Sequence, residues 1–184
     1  MSVDGVRRIL LVGFMASGKS TVGPVLARAL GWDFEDMDAV VEAGEGRSVA
    51  RIFAEDGEAR FRRMEERAGD RLLALDGVVV GSGGGWAAAP GRLDALPRGT
   101  LSVWLKVSPE EAVRRAGAHP GARPLLAVSD PVGAARELLR ERSSRYARCA
   151  LEVDTEGRTV EDVAARIIEE MARIPANHDA VEKA

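Results

Sequence analysis

The sequence predicts an α/β fold of three layers, in which a five-stranded and mainly parallel sheet lies between two layers of helices. Short apolar segments alternate along the chain with longer segments whose apolar residues recur every three or four positions, the spacing of an amphipathic helix. Strands separated by helices are joined by right-handed crossovers and run parallel, with helices on both faces of the sheet. No repeat or linker divides the chain, so residues 1–174 are expected to form one domain and residues 175–184 a disordered tail.

Local signals predict the individual elements. The expected strands are five short apolar segments, residues 7–13, 32–36, 78–85, 100–107 and 150–155. The expected helices are residues 20–30, 48–57, 58–75, 108–117 and 159–174. In the fourth of these helices, Ser108 is the expected N-cap and Pro109 the first helical residue. Residues 116–131 are rich in Gly, Pro and Ala and are expected to form a mobile lid.

Composition narrows the possible functions. The 184 residues are 46% apolar and 30% charged, which is ordinary for a soluble globular protein. With 26 basic and 29 acidic residues and no long basic run, a surface for nucleic acid or an anionic membrane has little support. The single cysteine, Cys149, is interpreted as a small buried residue rather than a catalytic thiol. No segment predicts a membrane span or a signal peptide, and no helix shows a second apolar face, so we expect a cytoplasmic monomer.

The segment GFMASGKST contains the strongest functional signal. Gly13, four residues, then Gly18-Lys19-Ser20 match the phosphate-loop pattern, and the pattern lies between a buried strand and a helix as it requires. Glycines let consecutive backbone N–H groups turn toward phosphate oxygens, and the helix start adds its positive end. Lys19 is expected to reach the β- and γ-phosphates and Ser20 to hold Mg²⁺. The loop therefore predicts a nucleoside-triphosphate site and a fold of the P-loop NTPase type.

Two carboxylates at the end of the second strand are candidates for binding the metal ion and a substrate. Asp36 and Asp38 are two positions apart, so at a strand end both are expected to face the edge that holds the phosphate loop. One would lie near the Mg²⁺ shell and the other would bind a substrate hydroxyl. The alternative is a solvated acidic turn or a helix cap.

Further along the chain, an arginine and a glycine run suggest a binding site for an anionic substrate. The guanidinium of Arg62 suits a substrate carboxylate, although it could instead pair with Glu58 or Glu66 on the surface of its own helix. The segment GSGGG, residues 81–85, exposes backbone N–H groups and permits close approach of a ligand, or it is only a flexible turn.

Taken in order over about residues 8–170, these segments resemble the shikimate kinase family. The segments that carry the resemblance are GFMASGKST, FEDMD, GRSVARIFAEDGEARFRRMEE, SGGG, RPLL in the lid and ERSSRY in the helix after it. The phosphate loop is common to many families. The Asp-x-Asp pair, the Phe-Arg-Arg-x-Glu helix and the triple glycine are far more specific when they occur together.

The resemblance implies transfer of the γ-phosphate of ATP to the 3-hydroxyl of shikimate, giving 3-phosphoshikimate and ADP in aromatic amino-acid (chorismate) biosynthesis. It implies that Lys19 holds the transferring phosphoryl group, that Asp38 binds the attacking hydroxyl as a candidate base, and that Arg123 closes over the nucleotide with the lid. The metal residues implied are Ser20, a ligand of Mg²⁺, and Asp36, near the metal's water shell. The nucleotide-binding residues implied are Gly13, Ala16, Ser17, Gly18, Lys19, Ser20, Thr21, Arg115, Arg123 and Arg158. The shikimate-binding residues implied are Asp38, Arg62, Gly83, Gly84, Gly85 and Arg142.

The chain departs from the family pattern at several positions. Trp86 follows the triple glycine, where a small residue is usual, and it either packs outward or narrows the acceptor pocket. Ser144 and Arg145 replace a Pro-Leu pair before the tyrosine, which makes Arg145 an alternative to Arg142 as the partner of the carboxylate. Val160 stands where a proline often borders the adenine. Ala16 replaces a glycine that is common in the phosphate loop.

Two other functions stay open at this point. A gluconate-type sugar-acid kinase of the same fold would also need a phosphate loop, an acidic residue and an arginine. A nucleotide-binding regulator would bind ATP without turnover, although Lys19, Ser20, Asp38, Arg62 and Arg123 are all intact. The acceptor-dependent release of ADP distinguishes the three.

Overall fold

Five parallel strands form the central sheet. The structure, a computed structural model of the chain, describes residues 5–117 and 128–173. The strands are β1 (Arg8–Val12), β2 (Asp33–Asp36), β3 (Val78–Gly81), β4 (Thr100–Lys106) and β5 (Leu151–Asp154), in the spatial order β2-β3-β1-β4-β5. In the centre, Ile9 of β1 lies opposite Val79 and Leu101. All carboxyl ends meet at one edge, and the chain order reverses beside β1, where ligands bind in open α/β sheets.

Eight helices cover the described part of the sheet. They are α1 (Lys19–Leu30), α2 (Met37–Glu45), α3 (Val49–Asp56), α4 (Glu58–Leu72), α5 (Gly84–Ala88), α6 (Pro109–Gly117), α7 (Pro131–Tyr146) and α8 (Val160–Arg173). Alternate residues of β1 face opposite layers. Ile9 and Leu11 pack against α1 and α8, while Leu10 and Val12 pack with residues of α2, α4, α5 and α7. The predicted three-layer α/β architecture with five parallel strands is confirmed.

The boundaries differ from the sequence predictions at two places near the ligand edge. The third strand ends at Gly81 rather than continuing to residue 85, because the chain enters α5 at Gly84. Helix α5 is not predicted by the sequence pattern, since glycine has low helix propensity. Helix α2 is not predicted either; it begins at Met37, and Asp36 is its N-cap. The Asp36 side chain accepts from the backbone N–H groups of Asp38 and Ala39, so Asp38 lies in the first helical turn and not on the strand as expected.

Some predicted features lie outside the described residues. They include residues 118–127 of the lid, which hold Arg123, and residues 174–184, which hold the expected tail. Among the helices that the structure describes, none has both the length and the apolar character needed to cross a bilayer. Cys149 is partly buried and not fully buried as expected; it packs against the core, and burial raises the pKa of its thiol to about 12.

A buried arginine joins three elements at the amino edge of the sheet. Arg8 is 4% exposed. Its guanidinium donates to Leu75 O at 2.7 Å, to Arg98 O at 2.9 Å and to Asp76 Oδ1 at 2.6 Å. It therefore connects the start of β1 to the turns that precede β3 and β4.

We expect Arg8→Leu to lower the free energy of unfolding by about 2–4 kcal/mol, because two carbonyl groups and one carboxylate lose a donor. Urea unfolding measures this change. Arg7→Leu is the matched control, since Arg7 pairs with the same aspartate at 2.6 Å but has a 63% exposed side chain. We expect the control to lose less than about 1 kcal/mol. Equal losses from the two variants would contradict a structural role for Arg8.

Candidate active site at the carboxyl edge of the sheet

The phosphate loop connects β1 to α1. Gly18 adopts φ 101° as the N-cap of α1, a conformation that favours glycine. A Cβ atom on Gly13 would lie 2.6 Å from the Leu105 carbonyl oxygen, so only glycine fits against β4 there. Lys19 Nζ donates to the carbonyl oxygens of Gly13 at 2.9 Å and Phe14 at 3.0 Å. The lysine thus lies across the loop, where phosphate oxygens are the alternative acceptors.

Ala16 is the one non-glycine residue with positive φ in the described chain, at φ 59°. A left-handed conformation costs an L-residue about 1–2 kcal/mol, so the replacement of a glycine by alanine at this position is not neutral for the backbone. Ser17 is a fully buried residue of the loop, and its hydroxyl has no hydrogen-bond partner among the described residues. The Thr21 hydroxyl donates to Gly18 O at 2.9 Å and so supports the loop conformation.

Arg115 on α6 contacts the phosphate loop. Its guanidinium donates to Ala16 O at 3.3 Å and to Thr155 O at 2.9 Å, and its Nε donates to Glu111 at 2.7 Å. It therefore joins the phosphate loop to the end of β5. Arg158 is exposed in the turn that leads into α8, and Val160 begins that helix. The structure places these residues at the same edge of the sheet as the loop.

Ser20 and Asp36 form the candidate metal site. The Ser20 hydroxyl donates to Asp36 Oδ2 at 3.0 Å. The other oxygen, Oδ1, accepts from Asp38 N at 3.0 Å, and this cap fixes the direction of the carboxylate. Hydroxyl and carboxylate oxygens suit Mg²⁺, which usually takes only one or two protein ligands beside water and phosphate. Among residues 5–117 and 128–173, no three His, Cys, Asp or Glu side chains gather around one point.

Asp38 has an unusual environment for a carboxylate. Its Oδ1 atom is buried and has no hydrogen-bond partner among the described residues. Burial, then the charges of Glu65 and Asp36, raise its pKa to about 6, against the opposing effect of Lys19 and Arg62. A carboxylate that titrates near neutral pH and faces a ligand edge is a candidate proton acceptor.

Glu65 is a site residue that the sequence analysis did not single out. It is 1% exposed, and its Oε2 accepts from Arg62 Nη1 at 2.7 Å. Burial raises its pKa, while Arg62 opposes the shift. The expected alternative partners of Arg62 were Glu58 and Glu66, of which only Glu58 is found, at 3.1 Å. The spacing of Arg62 and Glu65, three positions apart on one helix, is the signal that could have identified the pair.

Four charged side chains lie against the triple glycine. A Cβ atom on Gly83 would overlap the Glu65 carboxylate and lie 3.2 Å from Asp38 Oδ1. On Gly84 it would lie 3.3 Å from Arg142 Nη1, and on Gly85 it would overlap the guanidinium of Arg62. Gly83 and Gly85 therefore leave the space that the Glu65 and Arg62 side chains occupy, while Gly84 has tighter than usual room for a Cβ atom. This acceptor cluster, which consists of Asp38, Arg62, Glu65, Arg142 and residues 83–85, contains two acids and two arginines.

The structure distinguishes Arg142 from Arg145. Arg142 lies beside Gly84 in the acceptor cluster, whereas Arg145 is exposed and donates to the Glu141 carbonyl of its own helix, at 3.5 Å. Tyr146, fully buried at the end of α7, donates its hydroxyl to Gly84 O at 2.7 Å. Burial raises the pKa of this phenol, and the nearby Arg142 opposes the rise. Tyr146 was not among the predicted site residues, because its role depends on a contact across 62 positions of sequence.

Trp86 packs into the core instead of standing as an outward bystander. Its side chain is almost fully buried, and its indole lies against Gly69 of α4. Arg92 lies over the ring, 5.5 Å from its centroid.

The fold and site define the class of protein, which is a P-loop kinase that acts on a small molecule. The sheet carries a phosphate loop after its central strand, a candidate metal-binding pair beside the loop, and a cluster of charged side chains suited to an acceptor. The shikimate kinase family model matches residues 15–172. The chain belongs to the shikimate kinase family.

Individual relatives agree with this assignment. A shikimate kinase from Synechococcus sp. (strain RCC307) is 42% identical over 89% of this chain and 83% of its own length. The structure of a shikimate kinase from Acinetobacter baumannii in complex with shikimate superposes with a TM-score of 0.86 at 28% identity, and covers 97% of both chains. A gluconokinase from Sinorhizobium meliloti has a TM-score of 0.62 at 22% identity over 94% of both chains, a likeness of fold alone.

Proposed function

We propose that this chain transfers the γ-phosphate of ATP to the 3-hydroxyl of shikimate, giving 3-phosphoshikimate and ADP. The observation that carries the proposal is the acceptor cluster. In it, a carboxylate for a hydroxyl and two arginines for a carboxylate lie against one glycine loop. The loop adjoins the phosphate site, since a Cβ atom on Gly84 would lie 3.5 Å from Gly13 O. Donor and acceptor sites are therefore neighbours.

Arg62 and Arg142 bind the acceptor carboxylate in this proposal. Both guanidinium groups lie against the glycine loop, Arg62 at Gly85 and Arg142 at Gly84. A planar guanidinium matches the geometry of a carboxylate and forms paired hydrogen bonds with it. The side chain of Arg62 is 33% exposed while that of Glu65 is 1% exposed, so the arginine reaches the pocket surface and the glutamate supports it from below.

Asp38 binds the hydroxyl that attacks the phosphoryl group. Its buried Oδ1 has no partner among the residues described here, and the O–H of an acceptor supplies one. The carboxylate then orients the hydroxyl and holds its proton as the bond to phosphorus forms. Because phosphoryl transfer is usually a loose process with little need for a strong base, orientation is its main contribution.

Ser20 and Asp36 would hold Mg²⁺, the hydroxyl as a direct ligand and the carboxylate near its water shell. When bound, the ion neutralises charge on the β- and γ-phosphates. Lys19 adds a second positive charge once phosphate oxygens replace the loop carbonyls that it contacts. Charge neutralisation by fixed groups is the principal catalytic effect open to such a site.

The remaining nucleotide contacts are assigned from the family pattern. Gly13, Ala16, Ser17, Gly18 and Thr21 form the loop around the phosphates, with Arg115 and Arg158 beyond it on the adenine side. Arg123 and the lid, residues 116–131, close over the nucleotide and exclude water. We further propose that the chain is a cytoplasmic monomer with a single domain over residues 1–174, followed by a tail at residues 175–184.

Coupled release of ADP with ATP and Mg²⁺ tests the proposed function. Shikimate, gluconate and a no-acceptor control are compared at equal enzyme concentration. We expect turnover that depends on shikimate and stays at the no-acceptor rate with gluconate. Turnover with gluconate would instead indicate a sugar-acid kinase. ATP binding without turnover on either acceptor would indicate a nucleotide-binding regulator.

A further inference from the structure

One face of α4 contacts residues 83–86, at the start of α5, at three successive points. Arg62, Glu65 and Gly69 lie at positions i, i+3 and i+7, so they share this face. Their contacts are with Gly85, Gly83 and Trp86, in that order. The first two contacts belong to the acceptor cluster. The third lies at the far end of the same helix face, outside the groups assigned to the reaction.

Trp86 contacts this face with both its backbone and its ring. Its backbone N–H lies near the Glu65 carboxylate and favours the charged form of that group. Its indole lies so close to α4 that a Cβ atom on Gly69 would come within 2.7 Å of Nε1 and 2.9 Å of Cε2. Nε1 is buried without a hydrogen-bond partner among the described residues, so shape and not hydrogen bonding determines where the ring lies.

Arg92 lies over the same ring and forms ion pairs with two residues of α4. Its guanidinium lies 5.5 Å from the indole centroid and pairs with Glu66 and with Asp70, the latter at 3.3 Å. The indole is therefore held between Gly69 and an arginine that α4 itself anchors. These contacts all lie between α4 and the segment that contains α5.

We propose that Trp86 is a positioning residue for the acceptor site. It sets the spacing between α4 and α5, and this spacing determines the position of the Arg62 guanidinium relative to Gly85. Because Arg62 and Gly85 lie on the two elements that the indole separates, removal of the ring lets α5 move toward Gly69 and shifts Gly85 relative to the Arg62 guanidinium. A displacement of about 1 Å in a substrate-positioning group can cost on the order of 100-fold in rate. The inference rests on the proposed function, because it concerns the same acceptor pocket.

Steady-state kinetics of Trp86→Ala test the inference through the two Michaelis constants. We expect KM for shikimate to rise roughly tenfold or more, with KM for ATP changed less than about twofold, because the phosphate loop is on other elements. Trp86→Phe keeps most of the ring and should stay near the native KM. Trp86→Leu gives an intermediate truncation that remains informative if the alanine variant does not fold.

A compensating change separates positioning from general stability. Gly69→Leu, combined with Trp86→Ala, fills the space from the opposite helix and should return KM for shikimate toward the native value. Ile167→Ala is the matched control, since Ile167 is a fully buried residue of α8 on the other face of the sheet. It should lower stability with KM for shikimate unchanged.

An unchanged KM for shikimate in Trp86→Ala or Trp86→Leu would overturn the inference while leaving the proposed function intact. The same conclusion follows if Ile167→Ala raises that KM as much as Trp86→Ala does. Absence of shikimate-dependent turnover in the native chain would overturn the proposed function and this inference with it.

Discussion

Asp38→Asn is expected to lower kcat by about 10²- to 10⁴-fold, the usual contribution of a positioned acid–base group. Asparagine retains the size of the side chain but holds no proton from the attacking hydroxyl. It also removes a negative charge that lies beside Glu65 and Asp36. ATP binding should persist, because the phosphate loop contacts the nucleotide from a different element. Coupled ADP release and ATP titration measure the two effects separately.

Asp33→Asn is the matched control for this variant. Asp33 is an exposed residue at the start of β2, the strand that precedes the helix of Asp38. Its substitution removes the same charge far from the site and should leave kcat within about twofold of the native value. A comparable decrease in the two variants would contradict a specific role for Asp38.

The pH profile gives a second measure of the Asp38 carboxylate. Its pKa of about 6 means that the proton-accepting form dominates above pH 6 and is lost as the pH falls through that value. At limiting concentrations of both substrates, kcat/KM reports the free enzyme and should decrease about tenfold per pH unit below this point. The acidic limb should be absent in Asp38→Asn. A flat profile down to pH 5 would contradict the assignment.

Arg62→Lys should raise KM for shikimate roughly 10- to 100-fold, the effect of losing one or two charge-assisted hydrogen bonds. Lysine keeps a positive charge near Glu65 but lacks the planar fork that matches a carboxylate. Arg62→Ala is a poorer test, because it leaves the buried Glu65 without its partner at a cost of about 3–5 kcal/mol in stability. The lysine variant therefore separates substrate binding from folding.

Arg63→Lys controls for the charge and position of the Arg62 variant. Arg63 is the next residue of α4, and its side chain is exposed. It should show the native KM for both substrates. Arg62→Lys should also keep the native KM for ATP, because the arginine lies on the acceptor side of the loop. If KM for shikimate is unchanged in Arg62→Lys, then Arg142 alone binds the carboxylate and the role of Arg62 is structural.

The phosphate loop and the overall architecture were predictable from the sequence, because both depend on local information. The spacing of Gly13, Gly18 and Lys19 encodes a turn between a strand and a helix, and alternating apolar patterns encode the layers. The helix N-cap Ser108, whose hydroxyl accepts from Glu111 N at 3.2 Å, is likewise encoded within a few consecutive residues. The resemblance to the family added candidate residues for binding the acceptor.

The acceptor cluster itself was decided by tertiary structure. Asp38, Glu65 and Gly83 are far apart in the sequence and meet only because α2, α4 and the loop before α5 pack at one edge. The choice between Arg142 and Arg145 depends on which face of α7 points at Gly84. Short-range patterns carry no information on such contacts, since they are determined by how helices pack.

Trp86 illustrates the same division between local and tertiary information. From the sequence it was equally an outward bystander or an obstruction in the pocket, because a large ring after three glycines has no local explanation. The structure shows a ring seated against a glycine 17 positions earlier in the chain, where the missing side chain of Gly69 provides the space. The sequence by itself determined that this protein binds a phosphate at the end of its first strand. How the acceptor site is built beside the phosphate loop was decided only by the packing of α4 against α5. The fit between a ring on one helix and a glycine on another depends on how the two helices pack, and no local sequence pattern records it.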